Sequence, residues 1–252
     1  LLYLSIAIYT TILICIHIDD FLITSSSKSL TESTKTALEA EFGKLKEKSG
    51  DDLLYLGFRI IKKKNCIVLD QTHYWDKLIE EYKAYSLKEY QTPCDPSILT
   101  DIKDSPPGTP EEVSMYRSLV AKIMYGAKLR PDILYSISVL ATKSSNPLKC
   151  HWESLLRLLG YIKRTAKFNM TFLPLSNHTI RMYSDASHGS HSDAKGHTGY
   201  LVFLGDDQAC LCARSVKQRI VTASSYDAEL VAIDDGTKAV EKIYNTMKFI
   251  NP

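Results

Sequence analysis

Isoleucine recurs at positions 6, 8, 12, 14, 16 and 18, close to the two-residue period of a β-strand. The apolar run stops at Asp19-Asp20 and resumes at once as Phe21-Leu22-Ile23. Two strand-like segments this close predict a hairpin with both carboxylates at its tip. Leu30, Ala37, Leu38, Phe42 and Leu45 then keep a helical spacing, ended by Gly50. Positions 53–61 read as a strand, 62–65 as a polar turn and 66–69 as the returning strand. Tyr74, Leu78, Ile79 and Tyr82 mark another helix.

Five prolines between 93 and 110 and the loss of any period predict a linker or draped loop. Thr109, Pro110 and Glu112 follow as N-cap, first helical residue and capping-box partner. The apolar face of that helix is Tyr116, Leu119, Val120, Ile123, Met124 and Ala127. Pro131 opens a second helix, and Asn146-Pro147 cap a third that runs towards Arg164 with Leu148, Trp152, Leu155, Leu159 and Ile162 facing a core. Beyond residue 180 short strands return, at 181–187 (ending in an acidic turn), 199–204 and 209–215. Ser224-Ser225 cap a closing helix with recurring Glu229, Leu230, Ile233 and Val240. The fold class is therefore α/β, in the mixed α+β sense, with no internal repeat.

Asp19-Asp20 is a poor choice for a hairpin tip, where positive φ favours Asn-Gly or Asp-Gly. At ~4 Å their repulsion costs about 1 kcal/mol in water and about 4 kcal/mol near a protein surface. A divalent cation removes that cost, and paired carboxylates suit magnesium. The pair points to metal-assisted phosphoryl chemistry, against the plainer reading of a solvated acidic turn. The uncharged stretch 1–18 is nearly long enough to span a membrane, although its β-branched alternation and Ser5, Thr10, Thr11 and His17 favour a buried strand pair. Net charge is only +2. Between residues 115 and 170, however, ten bases face two acids, an excess of +8 that leaves −6 elsewhere. Such an excess is either a phosphate-backbone footprint or a set of solvated helix faces. Six cysteines without a secretory pattern fit a reducing compartment. The first residue, a leucine inside an apolar run, and the last, just past a helical pattern, read as ends cut from something longer. His188, His191 and His197 near Asp185 and Asp193 form a rival zinc candidate, though with no helix or knuckle spacing.

The ordered motifs resemble the C-terminal part of a copia-type LTR-retrotransposon Pol polyprotein. His17-Ile18-Asp19-Asp20 is similar to the polymerase Tyr-Val-Asp-Asp box, and Tyr55-Leu56-Gly57-Phe58-Arg59-Ile60 to the strand opening the primer-holding hairpin. Tyr116-Arg117-Ser118-Leu119-Val120, Leu129-Arg130-Pro131-Asp132-Ile133, Asn146-Pro147, His151-Trp152 and Leu159-Gly160-Tyr161-Ile162-Lys163-Arg164-Thr165 resemble the helical region that follows. Ser184-Asp185-Ala186-Ser187, Thr198-Gly199-Tyr200 and Ser224-Ser225-Tyr226-Asp227-Ala228-Glu229 resemble the opening of ribonuclease H. The chain departs from the family at His17 for an aromatic hydroxyl, Arg59 for a common acid, and Tyr226-Asp227 for Thr-Glu.

The resemblance implies late polymerase palm over 1–92, a linker over 93–110, a basic helical thumb or connection region over 111–175 and half a ribonuclease H fold over 178–252. It implies RNA-directed DNA polymerase and ribonuclease H chemistry through two magnesium ions. Asp19 and Asp20 match polymerase ligands, and Asp185 and Glu229 match the first two ribonuclease H ligands. The remaining ligands belong to neighbouring parts of the polyprotein, so the isolated chain is expected to be inactive; the alternative is a nucleic-acid-binding remnant of a decayed element. Primer-template and RNA/DNA hybrid are the expected partners, with the rest of the Pol polyprotein and without a membrane. His17, Arg117, Lys122, Arg130, Lys149, Arg157, Lys163 and Arg164 are the expected nucleic-acid contacts. The implied location is cytoplasmic, in a virus-like particle, and nuclear, not secreted.

Overall fold

The computed structural model describes residues 2–7, 10–98, 105–206 and 208–250. The architecture is mixed α/β, with three small antiparallel sheets and a helical block. The apolar run at the start folds as two strands, β1 (Leu2–Ala7) and β2 (Thr10–His17), and β3 (Asp20–Ser25) completes a sheet of order β1-β2-β3. Ile12 and Ile14 are buried, as the alternation requires. Among the described residues no helix is long and apolar enough to cross a membrane. Helix α1 (Lys28–Phe42) ends sooner than its spacing predicts, because Gly43 takes φ of 81° and turns the chain out of the helix.

Residues 53–61 are not one strand. They divide into β4 (Asp52–Tyr55) and β5 (Phe58–Lys63), joined by Leu56 at φ 50° and Gly57 at φ 79°. Two central residues at positive φ make the tight hairpin turn whose twist matches the strands. The next strand, β6 (Cys66–Asp70), pairs with β5, and β7 (Met170–Phe172) comes back from a hundred residues away to pair with β6. The sheet order is β4-β5-β6-β7.

The helical block comprises α2 (Thr72–Glu81), α3 (Pro110–Gly126), α4 (Leu134–Thr142) and α5 (Lys149–Arg164). Its shared core includes Trp75, Leu119, Ile123, Ile137, Leu140, Leu155 and Leu159. The capping box forms as the sequence predicts: the Thr109 amide donates to Glu112 at 2.8 Å, and the Glu112 amide to the Thr109 hydroxyl at 3.3 Å. Helix α5 starts later than expected, with Leu148 as N-cap and its amide donating to Nδ1 of His151 at 3.0 Å. The draped loop is pinned there, since Gly108 donates to the Pro147 carbonyl and Lys149 to that of Pro106. Residues 99–104 of that loop lie outside the described set.

A third unit follows. Strands β8 (Ile180–Ser187), β9 (His197–Leu204) and β10 (Cys212–Lys217) form a sheet of order β10-β9-β8, and α6 (Ser225–Ile250) packs across β8 and β9. The acidic Asp185 lies within β8 and not in a turn after it. Ser224 caps α6 by accepting the Asp227 amide at 3.2 Å and donating to its carboxylate.

One cation holds the helical block from inside. Arg130 is 2% exposed. Its guanidinium donates to Asp132 at 2.7 Å and to the carbonyl and hydroxyl of Thr165 at 3.1 and 2.6 Å, and lies over the rings of Trp75, Tyr161 and Phe168. Burial pushes the Asp132 carboxyl up, but Arg130 and the Tyr161 hydroxyl together hold it below its ordinary value. A charge so placed is costly to strand. Arg130→Ala is expected to lower the unfolding free energy by about 3–5 kcal/mol in urea denaturation, whereas Arg164→Ala at the exposed end of α5 shifts it by less than about 0.5 kcal/mol. Because the folded carboxyl of Asp132 titrates below the unfolded one, its contribution is complete above about pH 4 and is lost as pH falls through the lowered value. Asp132→Asn should remove that part of the acid dependence.

Candidate metal-ligating carboxylates and basic face

The hairpin between β2 and β3 pairs His17 with Asp20, leaving Ile18-Asp19 as the two-residue loop. Asp19 sits in the loop and Asp20 opens β3, and both are exposed. Ile18 has φ of 51° and is 83% exposed. A β-branched residue in the left-handed region costs about 1–3 kcal/mol and persists only where surrounding structure imposes it. Here the continuous β2–β3 register imposes it, and the strained turn carries Asp19 outward. Among the described residues neither Asp19 nor Asp20 forms an ion pair.

A second hairpin braces this one. The Tyr55 hydroxyl at the end of β4 donates to the Cys15 carbonyl on β2 at 3.4 Å. Burial first, then contact with Cys15 and the charge of Asp20, push the Tyr55 hydroxyl up. One residue on, the Leu56 carbonyl accepts from the Tyr125 hydroxyl of α3 at 2.9 Å. A Cβ on Gly57 would collide with that same hydroxyl. The chain of contacts Cys15, Tyr55, Leu56 and Tyr125 therefore ties the carboxylate hairpin to the helical block. Reading the sequence missed Tyr55 and Tyr125 in this role, and the available signal was glycine after Leu56 in an otherwise strand-like run.

The other acidic pair spans two elements. Asp185 lies exposed on β8, and Glu229 lies one turn into α6. Oε1 of Glu229 accepts the backbone N–H of Ala186 at 3.2 Å, which ties α6 to the residue after Asp185, 43 positions away. The close crossing of α6 over β8 permits this, since a Cβ on Gly236 would strike the Met182 side chain beneath. Each pair fits part of a magnesium shell, because that ion takes one or two carboxylates and fills its octahedron with water and phosphate oxygens. Among the described residues no group of three or more His, Cys, Asp or Glu side chains is placed to hold a metal.

That holds for the histidine cluster as well. His188 bonds Thr222 at 3.0 Å, while His191 bonds His197 at 3.0 Å and His197 bonds Ser215 at 2.7 Å. Both ring nitrogens of His197 are bonded within the protein, and among the described residues these histidines are not gathered into a metal-holding group, so the zinc alternative gains no support.

The predicted basic contacts divide by environment. Arg130 is a core residue and cannot reach a phosphate, because its charge is consumed by Asp132, Thr165 and three rings. Arg117 donates to the carbonyls of Ser144 and Ser145, and Lys122 pairs with Glu81. Arg157 stacks on Tyr90 at 4.6 Å and donates to Thr92, and Lys163 donates to the Leu87 carbonyl. Lys149 and Arg164 are exposed, without an ion pair among the described residues. His17 is exposed beside Asp20.

The fold is mixed α/β, with Asp19 and Asp20 on one antiparallel sheet and, elsewhere, Asp185 on a second sheet that α6 with Glu229 packs across. No protein-family model matches the chain. It is 28% identical over 236 residues to the retrovirus-related Pol polyprotein from transposon TNT 1-94 of Nicotiana tabacum, covering 90% of this chain and 17% of that protein. It is also 28% identical over 232 residues to the retrovirus-related Pol polyprotein from transposon RE2 of Arabidopsis thaliana, covering 90% and 15%. A shorter likeness, 33% identical over 135 residues, joins it to secreted RxLR effector protein 161 of Plasmopara viticola, covering 53% of this chain and 92% of that protein. The chain belongs to the copia-type, retrovirus-related Pol polyproteins of transposons. It spans about a sixth of the length of the Pol relatives it matches.

The brace between hairpin and helix is open to a double-mutant cycle. Gly57→Ala should destabilise the chain by more than about 1 kcal/mol, through both the positive φ and the Tyr125 hydroxyl. In the Tyr125→Phe background the cost should shrink, so that the two changes are non-additive by at least about 0.5 kcal/mol in chemical denaturation.

Proposed function

We propose that the chain is the stretch of a retrotransposon Pol polyprotein that runs from the end of reverse transcriptase into the first half of ribonuclease H. The observation that carries this reading is the Glu229 to Ala186 hydrogen bond. It ties a helix carboxylate to the strand residue next to Asp185, in addition to an Asp-Asp hairpin elsewhere in the chain. The parent reaction is RNA-templated DNA synthesis with hydrolysis of the RNA strand of the hybrid. Asp19 and Asp20 would hold magnesium in the first site, and Asp185 and Glu229 in the second. Magnesium when bound would lower the pKa of an attacking oxygen and offset charge on the phosphoryl group.

The residues of this chain contribute position and charge. The strained Ile18-Asp19 turn presents Asp19 to solvent, and His17 stands opposite Asp20 with an imidazole able to bond primer or template. The Ala186 amide fixes one oxygen of Glu229 and with it the side-chain rotamer. Exposed Lys149 and Arg164 offer charge to backbone phosphates, so contact with nucleic acid is sequence-tolerant and weakened by salt. The rest of the Pol polyprotein supplies the further ligands, and the setting is a cytoplasmic virus-like particle with access to the nucleus. A second reading, a nucleic-acid-binding remnant without catalysis, is favoured by one fact: among the described residues neither pair gains a third acidic or histidine neighbour.

The isolated chain is therefore expected to bind an RNA/DNA hybrid without extending a primer or cutting RNA. In fluorescence anisotropy the joint Lys149→Ala and Arg164→Ala change should lower the salt slope of binding by up to about 2, near one unit per phosphate contact, while Arg117→Ala changes it less. Magnesium-dependent turnover that disappears in Asp19→Asn or Asp185→Asn would contradict the inactivity.

A further inference from the structure

A cleft of about 500 Å³ lies between α4 and β10, apart from both carboxylate pairs. Its volume is within the range of small-molecule sites. The wall is mainly apolar: Leu134, Ile137 and Ala141 face Ala213 and Val216. Ser215 is in the same wall, flanked by Arg214 and Lys217. Next to Ser215 stand two buried histidines. The Ser215 hydroxyl lies 2.7 Å from Nε2 of His197, and Nδ1 of His197 lies 3.0 Å from Nε2 of His191. The two rings stack at 5.3 Å, and Tyr135 of α4 packs edge-on against His197 at 5.2 Å. Neither imidazole is free to turn away.

A serine bonded to an imidazole that is itself oriented by a further group is the arrangement that activates an oxygen nucleophile. It requires one tautomer. His191 accepts at Nε2, His197 carries its proton on Nδ1, and Nε2 of His197 accepts the Ser215 hydroxyl. Burial favours the neutral rings this needs. Burial, then the neighbouring His191, pushes His197 down to about 4, which keeps its ring neutral at rest and makes it a weak base, and burial followed by Lys217 lowers His191 against the opposing charge of Asp193.

We propose that Ser215, His197 and His191 form a nucleophilic serine site whose substrates are small apolar carboxylic esters bound in the cleft between α4 and β10. The Ser215 oxygen bonds to the acyl carbon as its proton passes to Nε2 of His197. The bond from acyl carbon to alkoxide oxygen breaks, and the alkoxide leaves with that proton as an alcohol. Water then attacks the acyl-serine with His197 again taking and returning a proton, and the carboxylic acid is released. Ester and water become acid and alcohol with no change of oxidation state. Arg214 and Lys217 line the same wall, Lys217 paired with Asp193 at 2.8 Å. His191 is a positioning residue, acting through His197.

The test uses the full chain and 4-nitrophenyl butyrate, read by nitrophenolate release and by mass spectrometry of peptides. The expected result is a butyryl group on the Ser215 peptide, with release reduced about a hundredfold or more in Ser215→Ala and His197→Gln. His191→Ala should slow release, and His191→Gln, which keeps an acceptor, should restore much of it. Circular dichroism of Ser215→Ala, which removes a single hydroxyl, separates loss of chemistry from loss of fold. If His197→Gln unfolds the chain, Ser215→Ala decides alone. Release unchanged in Ser215→Ala, or no acyl group at Ser215 whether lysines react or nothing does, overturns the proposal.

Discussion

Acidic side chains held in place by the backbone without a compensating base are the constraint around which the candidate site is arranged. Asp19 and Asp20 follow one another at a hairpin, and Glu229 is bonded to the strand amide next to Asp185 where a helix crosses a sheet. In both places the backbone imposes the arrangement. The β2–β3 register forces an isoleucine into the left-handed region to place Asp19, and the Ala186 amide clamps Glu229. Repulsion between such groups is modest in water and grows as water is excluded. All four side chains are accordingly exposed or half-buried, where a hard cation with its own water can reach them.

The positive charge obeys a different rule. The +8 excess of the helical region looks uniform as a composition, yet its members do unlike work. Arg130 is desolvated and bonded on every side, so it holds helices together. Arg117, Arg157 and Lys163 fasten loops to helix ends through carbonyl and hydroxyl oxygens. Lys149 and Arg164 keep their charge in solvent. Composition alone does not tell these roles apart.

Local rules were readable from residues wherever the partner is near in the chain. The isoleucine alternation gave the strand at Thr10–His17, and Thr109 with Glu112 marked the start of α3, since a two-residue period and a capping box are made within a few positions. Distant partners were not readable. Nothing within 53–61 announces a break except Gly57, because the tyrosine that meets its turn is 69 residues from Leu56. The pairing of Met170–Phe172 with β6 is equally remote, and the burial of Arg130 depends on Trp75, Tyr161, Thr165 and Phe168 arriving from elsewhere in the chain. At the candidate site the four acids were legible as residue types in a pattern. The Ala186 amide that positions Glu229, the Tyr55 brace and the relay from Ser215 to His191 became visible only in three dimensions.

Manganese, a paramagnetic substitute for magnesium, offers the most direct test of the carboxylate pairs. Titrated into the nitrogen-15-labelled chain, it should broaden amide signals around Asp19 and Asp20 and around Ala186 and Glu229 first, with Asp19→Asn and Asp185→Asn each sparing only their own region. Broadening that starts instead at other acidic surface residues such as Asp51, or that ignores both substitutions, would contradict the claim that these four side chains exist to hold a metal.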